Sequence, residues 1–260
     1  MSEVFRGSIC HFELDFEGEK EPRFASFPFM MDNRPLDSVR CCVSSRFSGV
    51  MVYRDLGIES GRVRSLRQIH SRKVLAVDDA PDGKISGTET APQADGLVTR
   101  DRNTVLSVTV ADCLPVFLYD TGTGAFGVLH SGWKGTGIVL EALALMEERW
   151  GVRPASVAAV LGPCICSRCY RVGKERALSY EAEFGGEGGN FPLGPLVWKT
   201  AGEEGDWHLD MQAANARILS GAGVRNIAVC RNCTFEDERL GSFRREGDAY
   251  ARMTALAGYY

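Results

Sequence analysis

From about residue 60 onward the chain alternates short β-branched runs with turn residues: VRSLRQI, KVLAV, GLVT, TVLSVTV, PVFLYD, GAFGVLH and SVAAVL. Runs of this length, bounded by turn-forming residues, are strand signals. Between the last two lies TGIVLEALALMEERW, where Val139, Leu143, Met146 and Trp150 recur at helical spacing while Glu141, Glu148 and Arg149 take another face. Thr136 is the expected N-cap of that helix and Gly151 its stop. Residues 210 to 220 repeat the logic, with Asp210 as cap and Gly221 as terminator, and a last helix is expected from Asp248 to about Ala257. Hairpin-like strands mixed with helices predict an α/β protein of α+β type, or mixed α/β layers, in place of a regular βαβ repeat.

No internal repeat and no linker divides the chain, so a single domain over residues 1 to 260 is expected, long enough to bury a core without staples. Residues 1 to 60 have the weakest periodicity and are read as a peripheral hairpin layer of that domain. The glycine-rich FGGEGGNFPLGP (184 to 195) reads as a surface connection, with a lid as the less favoured alternative. A net charge of −4 offers no basic footprint for nucleic acid, which points to a small-molecule partner. The N-terminal residues lack the apolar core of a signal peptide, and no run approaches the roughly eighteen apolar residues of a membrane span, so a cytoplasmic, membrane-free protein is expected. Nine cysteines, an odd number scattered through a long chain, then read as free thiols or metal ligands and not as disulfides. Oligomeric state has no signal.

The run VTVADCLPVF places an acid, a thiol and a proline between two apolar stretches. Cys113 follows the strand TVLSVTV, His70 ends LRQIH and His130 ends GAFGVLH, so three donors stand at strand ends that can converge on one sheet edge. Two imidazoles and a thiolate suit zinc, and three protein ligands leave the fourth tetrahedral position for water or substrate. Spacing alone leaves the competing reading open, in which the histidines belong to the core and the thiol is inert. Asp112 could orient a ligand or contact substrate, or be a loop carboxylate satisfied by backbone amides. Pro115 is expected to halt ladder pairing there.

After His130 the loop SGWKGTG leads into the helix, and its glycines and helix-start amides, with Lys134, could hold an anion. Arg244 or Arg245 of GSFRREGD could grip a phosphate or carboxylate with paired hydrogen bonds. CICSRC (Cys164, Cys166, Cys169) and CRNC (Cys230, Cys233) could form a structural zinc site, or pack as small hydrophobes after apolar strands. His11 and His208 have no partner pattern and are read as structural.

Six ordered segments, RQIHSRKV, ADGLVT, VTVADCLPVFLYD, GVLHSGWKGT, LGPCICSRCYRVG and CTFEDERLGSFRREG, resemble the successive motifs of the YfiH-like laccase-domain family, also called the multicopper polyphenol oxidase or purine nucleoside phosphorylase family. The resemblance covers about residues 60 to 258. It implies a catalytic zinc on His70, Cys113 and His130, with copper as the alternative metal, and mixed β-sheets packed between helices in four layers, similar to a deamidating toxin. It implies phosphorolysis of adenosine, inosine, guanosine or methylthioadenosine, with adenosine deamination; other members are linked to editing of peptidoglycan precursors. Lys134 stands where the family usually has arginine, only Arg252 remains of a tract after the arginine pair, and residues 25 to 50 match poorly.

Nucleoside and phosphate are therefore the expected partners, with Asp112, Lys134, Arg244 and Arg245 as candidate catalytic residues. Three other readings compete with this. A copper polyphenol oxidase is opposed by having only four histidines for a trinuclear cluster, though a single copper remains open. A Cys113–His130 nucleophile and base pair, and a binding protein with purely structural zinc, are the others.

Overall fold

In the computed structural model, residues 7–16, 21–77, 91–185, 192–202 and 205–260 are described. GLVT, PVFLYD, GAFGVLH and SVAAVL become neighbours in a seven-stranded sheet. Its order is β1 (Ser8–Phe12), β14 (Asn226–Cys230), β10 (Val157–Leu161), β8 (Leu114–Asp120), β9 (Phe126–Ser131), β6 (Gly96–Thr99) and β5 (Val74–Ala76). A five-stranded sheet runs β2 (Phe24–Met31), β3 (Arg34–Ser44), β15 (Met253–Gly258), β7 (Val105–Val110) and β4 (Val63–Arg64). A three-stranded sheet runs β11 (Arg171–Val172), β13 (Trp207–Leu209) and β12 (Val197–Lys199). The helices are α1 (Val52–Asp55), α2 (Ile138–Trp150), α3 (Lys174–Phe184), α4 (Met211–Gly221) and α5 (Phe243–Glu246). No helix among the described residues is long and apolar enough to cross a membrane.

The large sheet is buried on both faces, which is why its strands read as unbroken apolar runs. On one face Leu114, Val116 and Leu118 of β8 pack with Leu129, Leu161 and the apolar sides of α2 and α4. On the other, Phe117 and Tyr119 meet the five-stranded sheet, with Phe27 edge-on to Phe117 at 5.4 Å and Phe29 5.5 Å from Tyr119. The far face of the smaller sheet is closed by Val52 of α1 and Ile58 against Cys42, Val105 and Leu256. The layers therefore run helices, sheet, sheet, short helix, as the resemblance implied. Truncating Phe117 to alanine would cost about 3–5 kcal/mol, because no side chain nearby can refill so enclosed a site.

Several local expectations are corrected. In place of the helix expected from 248 to 257, a short 3-10 turn at Gly247–Ala249 leads to strand β15, paired antiparallel with both β3 and β7; the helix-favouring alanines of MTALAG yield to two flanking ladders. The N-cap of α2 is Gly137 at φ 95, not Thr136, whose hydroxyl bonds the Gly132 carbonyl at 3.2 Å and the Tyr180 hydroxyl at 3.0 Å. Gly151 does end α2 in the left-handed region, and Asp210 caps α4 by accepting from the Ala213 amide. Gly221 lies inside α4, with Ala222 as its C-cap. Of VRSLRQI only Val63 and Arg64 are strand. The hairpin in the first 60 residues is not peripheral, since Phe27, Phe29, Val39, Cys41 and Val43 supply much of the inter-sheet core. Pro115 does not halt pairing: it sits opposite His130 inside β8, and its carbonyl still accepts from Gly162 at 2.9 Å, so only the donor half of one ladder pair is lost. Most of the glycine-rich run, residues 186 to 191, lies outside the described residues.

Candidate metal centre

VTVADCLPVF breaks because the chain changes sheets there. β7 belongs to the smaller sheet and β8 to the larger, and residues 111 to 113 make the crossing. Asp112 turns it at φ 80, a conformation that costs an L-residue roughly 1–2 kcal/mol. Its hydrogen bonds offset that cost: Oδ1 accepts from the Thr234 hydroxyl at 2.6 Å, Oδ2 from the Arg244 amide at 2.6 Å, and its carbonyl from the Ile165 amide at 3.1 Å. Both carboxylate oxygens of Asp112 are thus engaged by Thr234 and Arg244, and neither bonds a histidine of the centre.

The turn delivers the Cys113 thiol between two imidazoles. His130 lies near the end of β9 as expected, but His70 is in a loop and not at a strand end, with φ 57. Gln68 ties this loop to β7, donating to the Thr109 carbonyl at 2.8 Å and accepting the Thr109 amide at 2.7 Å. Beyond it the fully buried carboxylate of Asp95 accepts the amides of Ile69 at 3.2 Å, His70 at 2.9 Å and Ser71 at 2.6 Å, together with the Ser71 hydroxyl at 2.8 Å. The same carboxylate meets His130 Nδ1 at 2.9 Å. The two rings lie 4.9 Å apart and nearly perpendicular, and the donor atoms of His70, Cys113 and His130 are all within 4.8 Å of one another. Gly132 makes room for them: a Cβ there would sit 3.1 Å from Cys113 Sγ and 3.5 Å from His70 Cδ2.

Electrostatics set the charges of the group, a thiolate near neutral pH beside an imidazolium whose proton a cation would displace. Burial pushes the Cys113 thiol up, but hydrogen bonds from His130 and His70 and their positive charge outweigh it and bring it down to about 7. Burial pulls His130 down, and Asp95 and Cys113 reverse this, raising it to about 9. Asp95 itself, though penalised by burial, is held down at about 2 by His130 and Ser71. Asp95 occupies Nδ1 of His130 and so leaves Nε2 for a ligand. Two imidazole nitrogens and a sulfur available as thiolate near neutral pH fit zinc, and copper by the same donors.

The centre opens into a cavity of about 640 Å³, within the range typical of small-molecule sites. Arg67, Arg176, Arg244 and Arg252 line it, with Trp133, Tyr170 and Tyr250 as aromatic walls. Arg244 Nη1 donates to the Arg171 carbonyl at 3.0 Å, and its guanidinium lies 5.5 Å from the Tyr170 ring; Arg176 stacks 4.4 Å over Trp133. Lys134 is exposed beside Trp133, 5.5 Å from the ring centre, and does not line the cavity. Arg245 does not line it either: its guanidinium donates to the carbonyls of Thr234, Phe235, Asp237 and Leu240 and pairs with Glu246. The first helical amides of α2 bond within the turn, Ile138 to Gly135 and Leu140 to Gly137, and Gly132 and Gly135 of SGWKGTG serve close packing, against Cys113 and His70 and against the Ser71 and His130 carbonyls. Sequence reasoning missed Asp95 and Arg176. The signal for Asp95 was an acid directly before the wholly apolar GLV.

Of the other cysteines, Cys166, Cys169 and Cys233 come together, joined by Glu236. Cys164 and Cys230 stay out of this group, buried in the core. His208 is buried and stacked on Trp198 at 4.0 Å, with Nδ1 2.8 Å from the Ser167 carbonyl, while His11 is exposed on β1.

Sandwiched sheets with a His–Cys–His pocket at their crossing define a laccase-domain protein. The family model described as multi-copper polyphenol oxidoreductase laccase matches residues 47–259, and the chain belongs to that family. Among curated proteins it is 36% identical over 195 residues to a purine nucleoside phosphorylase of Corynebacterium glutamicum, covering 74% of this chain and 72% of that one. It is 34% identical over 201 residues to the adenosine deaminase RL5 of an unknown prokaryotic organism, covering 72% and 73%. Among solved structures, the hypothetical protein YfiH of Bacillus licheniformis superposes with a TM-score of 0.73 at 26% identity, covering 85% of this chain and 93% of that one.

Proposed function

We propose that this chain is a zinc-dependent enzyme that cleaves purine nucleosides with phosphate, with adenosine deamination as a companion activity. One observation carries the reading: a single cavity holds the His70, Cys113 and His130 donors together with four arginines, Arg67, Arg176, Arg244 and Arg252, and aromatic walls. The names of the relatives supply the substrate class.

In phosphorolysis the bond from the anomeric carbon to the purine nitrogen breaks as a phosphate oxygen bonds that carbon, and the departing purine takes a proton. Guanidinium groups of Arg176, Arg244 and Arg252 suit the phosphate, because planar forks bind its oxygens in pairs. Tyr170, Trp133 and Tyr250 offer faces for the purine. Asp95 holds the His130 tautomer and the His70 loop, so both imidazoles keep one orientation throughout. Bound zinc would supply a Lewis acid, polarising a substrate oxygen or making a bound water acidic enough to attack the purine ring.

Zinc-loaded protein incubated with adenosine and phosphate should yield adenine, ribose 1-phosphate and inosine, and absence of all three removes the proposal. Elemental analysis of protein purified without added metal separates zinc from copper in the same donor set.

A further inference from the structure

We propose that Cys166, Cys169, Cys233 and Glu236 bind a second metal ion, zinc by its donor set, in a closed site that staples the loop after β10 to the loop after β14. One ligand atom from each of the four lies within 4.8 Å of the others. Cys166 and Cys169 form a Cys-x-x-Cys half-site, folded by the Cys169 amide donating to the Cys166 carbonyl at 3.0 Å. The third sulfur comes from the other loop, where the Cys166 amide donates to Cys233 Sγ at 3.3 Å and so already joins the two halves of the site. Arg168 grips Glu236 Oε2 at 3.0 Å, which orients the carboxylate with Oε1 3.5 Å from Cys169 Sγ. Three sulfurs and one oxygen, all from protein, complete a tetrahedron and leave no place for substrate, in contrast to the centre at Cys113.

The location gives the staple a purpose. Cys164 and Cys233 form an isolated parallel bridge, and the Thr234 amide donates to the Cys164 carbonyl at 3.1 Å. Thr234 and Ile165, one from each loop, are partners of Asp112 at the sheet crossing. An ion here fixes from behind the turn that presents Cys113, and its binding does not depend on what the cavity catalyses.

The test uses the full chain, loaded with zinc under reducing conditions and dialysed. Wild type should retain about two zinc ions per chain, with about one left in Cys166→Ser/Cys169→Ser and about one in His70→Ala/Cys113→Ser. Cobalt(II) loaded into His70→Ala/Cys113→Ser should show thiolate charge-transfer absorption, a reading that does not require the serine variant to fold. Iodoacetamide labelling of Cys166 in wild type should slow at least tenfold when zinc is added. Zinc at one per chain with no cobalt–thiolate band in that variant, undiminished labelling of Cys166, or a Cys166–Cys233 disulfide as the stable form of freshly reduced protein would each overturn the proposal.

Discussion

Asp95 Oδ1 receives both Nδ1 of His130, at 2.9 Å, and the backbone amide of His70, also at 2.9 Å, so one buried carboxylate sets the orientation of two imidazoles that lie 60 residues apart (130 − 70). Asp95→Asn keeps the shape but removes the charge and one acceptor. Zinc affinity is expected to fall about 10- to 100-fold, as when such supporting partners are lost elsewhere. Competition with a chelator of known affinity measures it, and an unchanged affinity would show that the imidazoles orient themselves.

The same pair makes the metal-free protein sensitive to acid. Asp95 ionises at about 2 in the folded chain against 3.8 for an unperturbed carboxyl. The folded value is the lower one, so its contribution, about 2 kcal/mol, is fully present above pH 4 and is lost as pH falls towards 2. Urea unfolding between pH 6 and 2 should show a loss in wild type larger than that in Asp95→Asn by about 2 kcal/mol, the remainder belonging to other depressed carboxyls such as Asp237 and Glu246.

His70 is exposed, whereas His130 is buried. His70→Ala should therefore leave stability within about 0.5 kcal/mol while lowering nucleoside cleavage at least a hundredfold. A melted His70→Ala chain would mean that the donors serve the fold and not a reaction.

Gly132→Ala tests the space at the centre directly. Its new methyl would stand 3.1 Å from Cys113 Sγ, tighter than ordinary contact, and must push sulfur or imidazole aside. The variant should fold, with circular dichroism like wild type, and bind metal far more weakly.

The arginines divide by what they touch. Arg176→Ala should raise KM for phosphate about tenfold, which corresponds to about 1.4 kcal/mol, with little change in melting temperature. Arg245→Ala strips donors from four carbonyls and from Glu246, so it should cost about 2–3 kcal/mol of stability and leave KM for phosphate unchanged.

What could be read from the residues follows burial and local chemistry. Strands β6 to β10 announce themselves because both of their faces are covered, and Asp210 is legible as a cap because capping is a contact three residues long. Residues 253 to 258 misled because Ala, Leu and Met favour helices, whereas their state is set by β3 and β7, which are distant in sequence. The three donors of the centre were legible as residue types at motif positions, but the buried carboxylate beneath them was not: Asp95 depends on a loop 25 residues upstream folding back onto it. Arg245 and Arg244 look alike in sequence and differ only in which way the four-residue helix α5 turns each one.

The crossing at Asp112 has a consequence for how the chain matures. Cys113 stands on the connection from β7 of the smaller sheet to β8 of the larger, His130 belongs to the larger, and the His70 loop is held both by Asp95 and, through Gln68, by β7, so the three donors are braced from both sheets. An intermediate whose sheets have not docked holds that set less rigidly, which makes tight metal capture a late event in folding and a sign that assembly is complete.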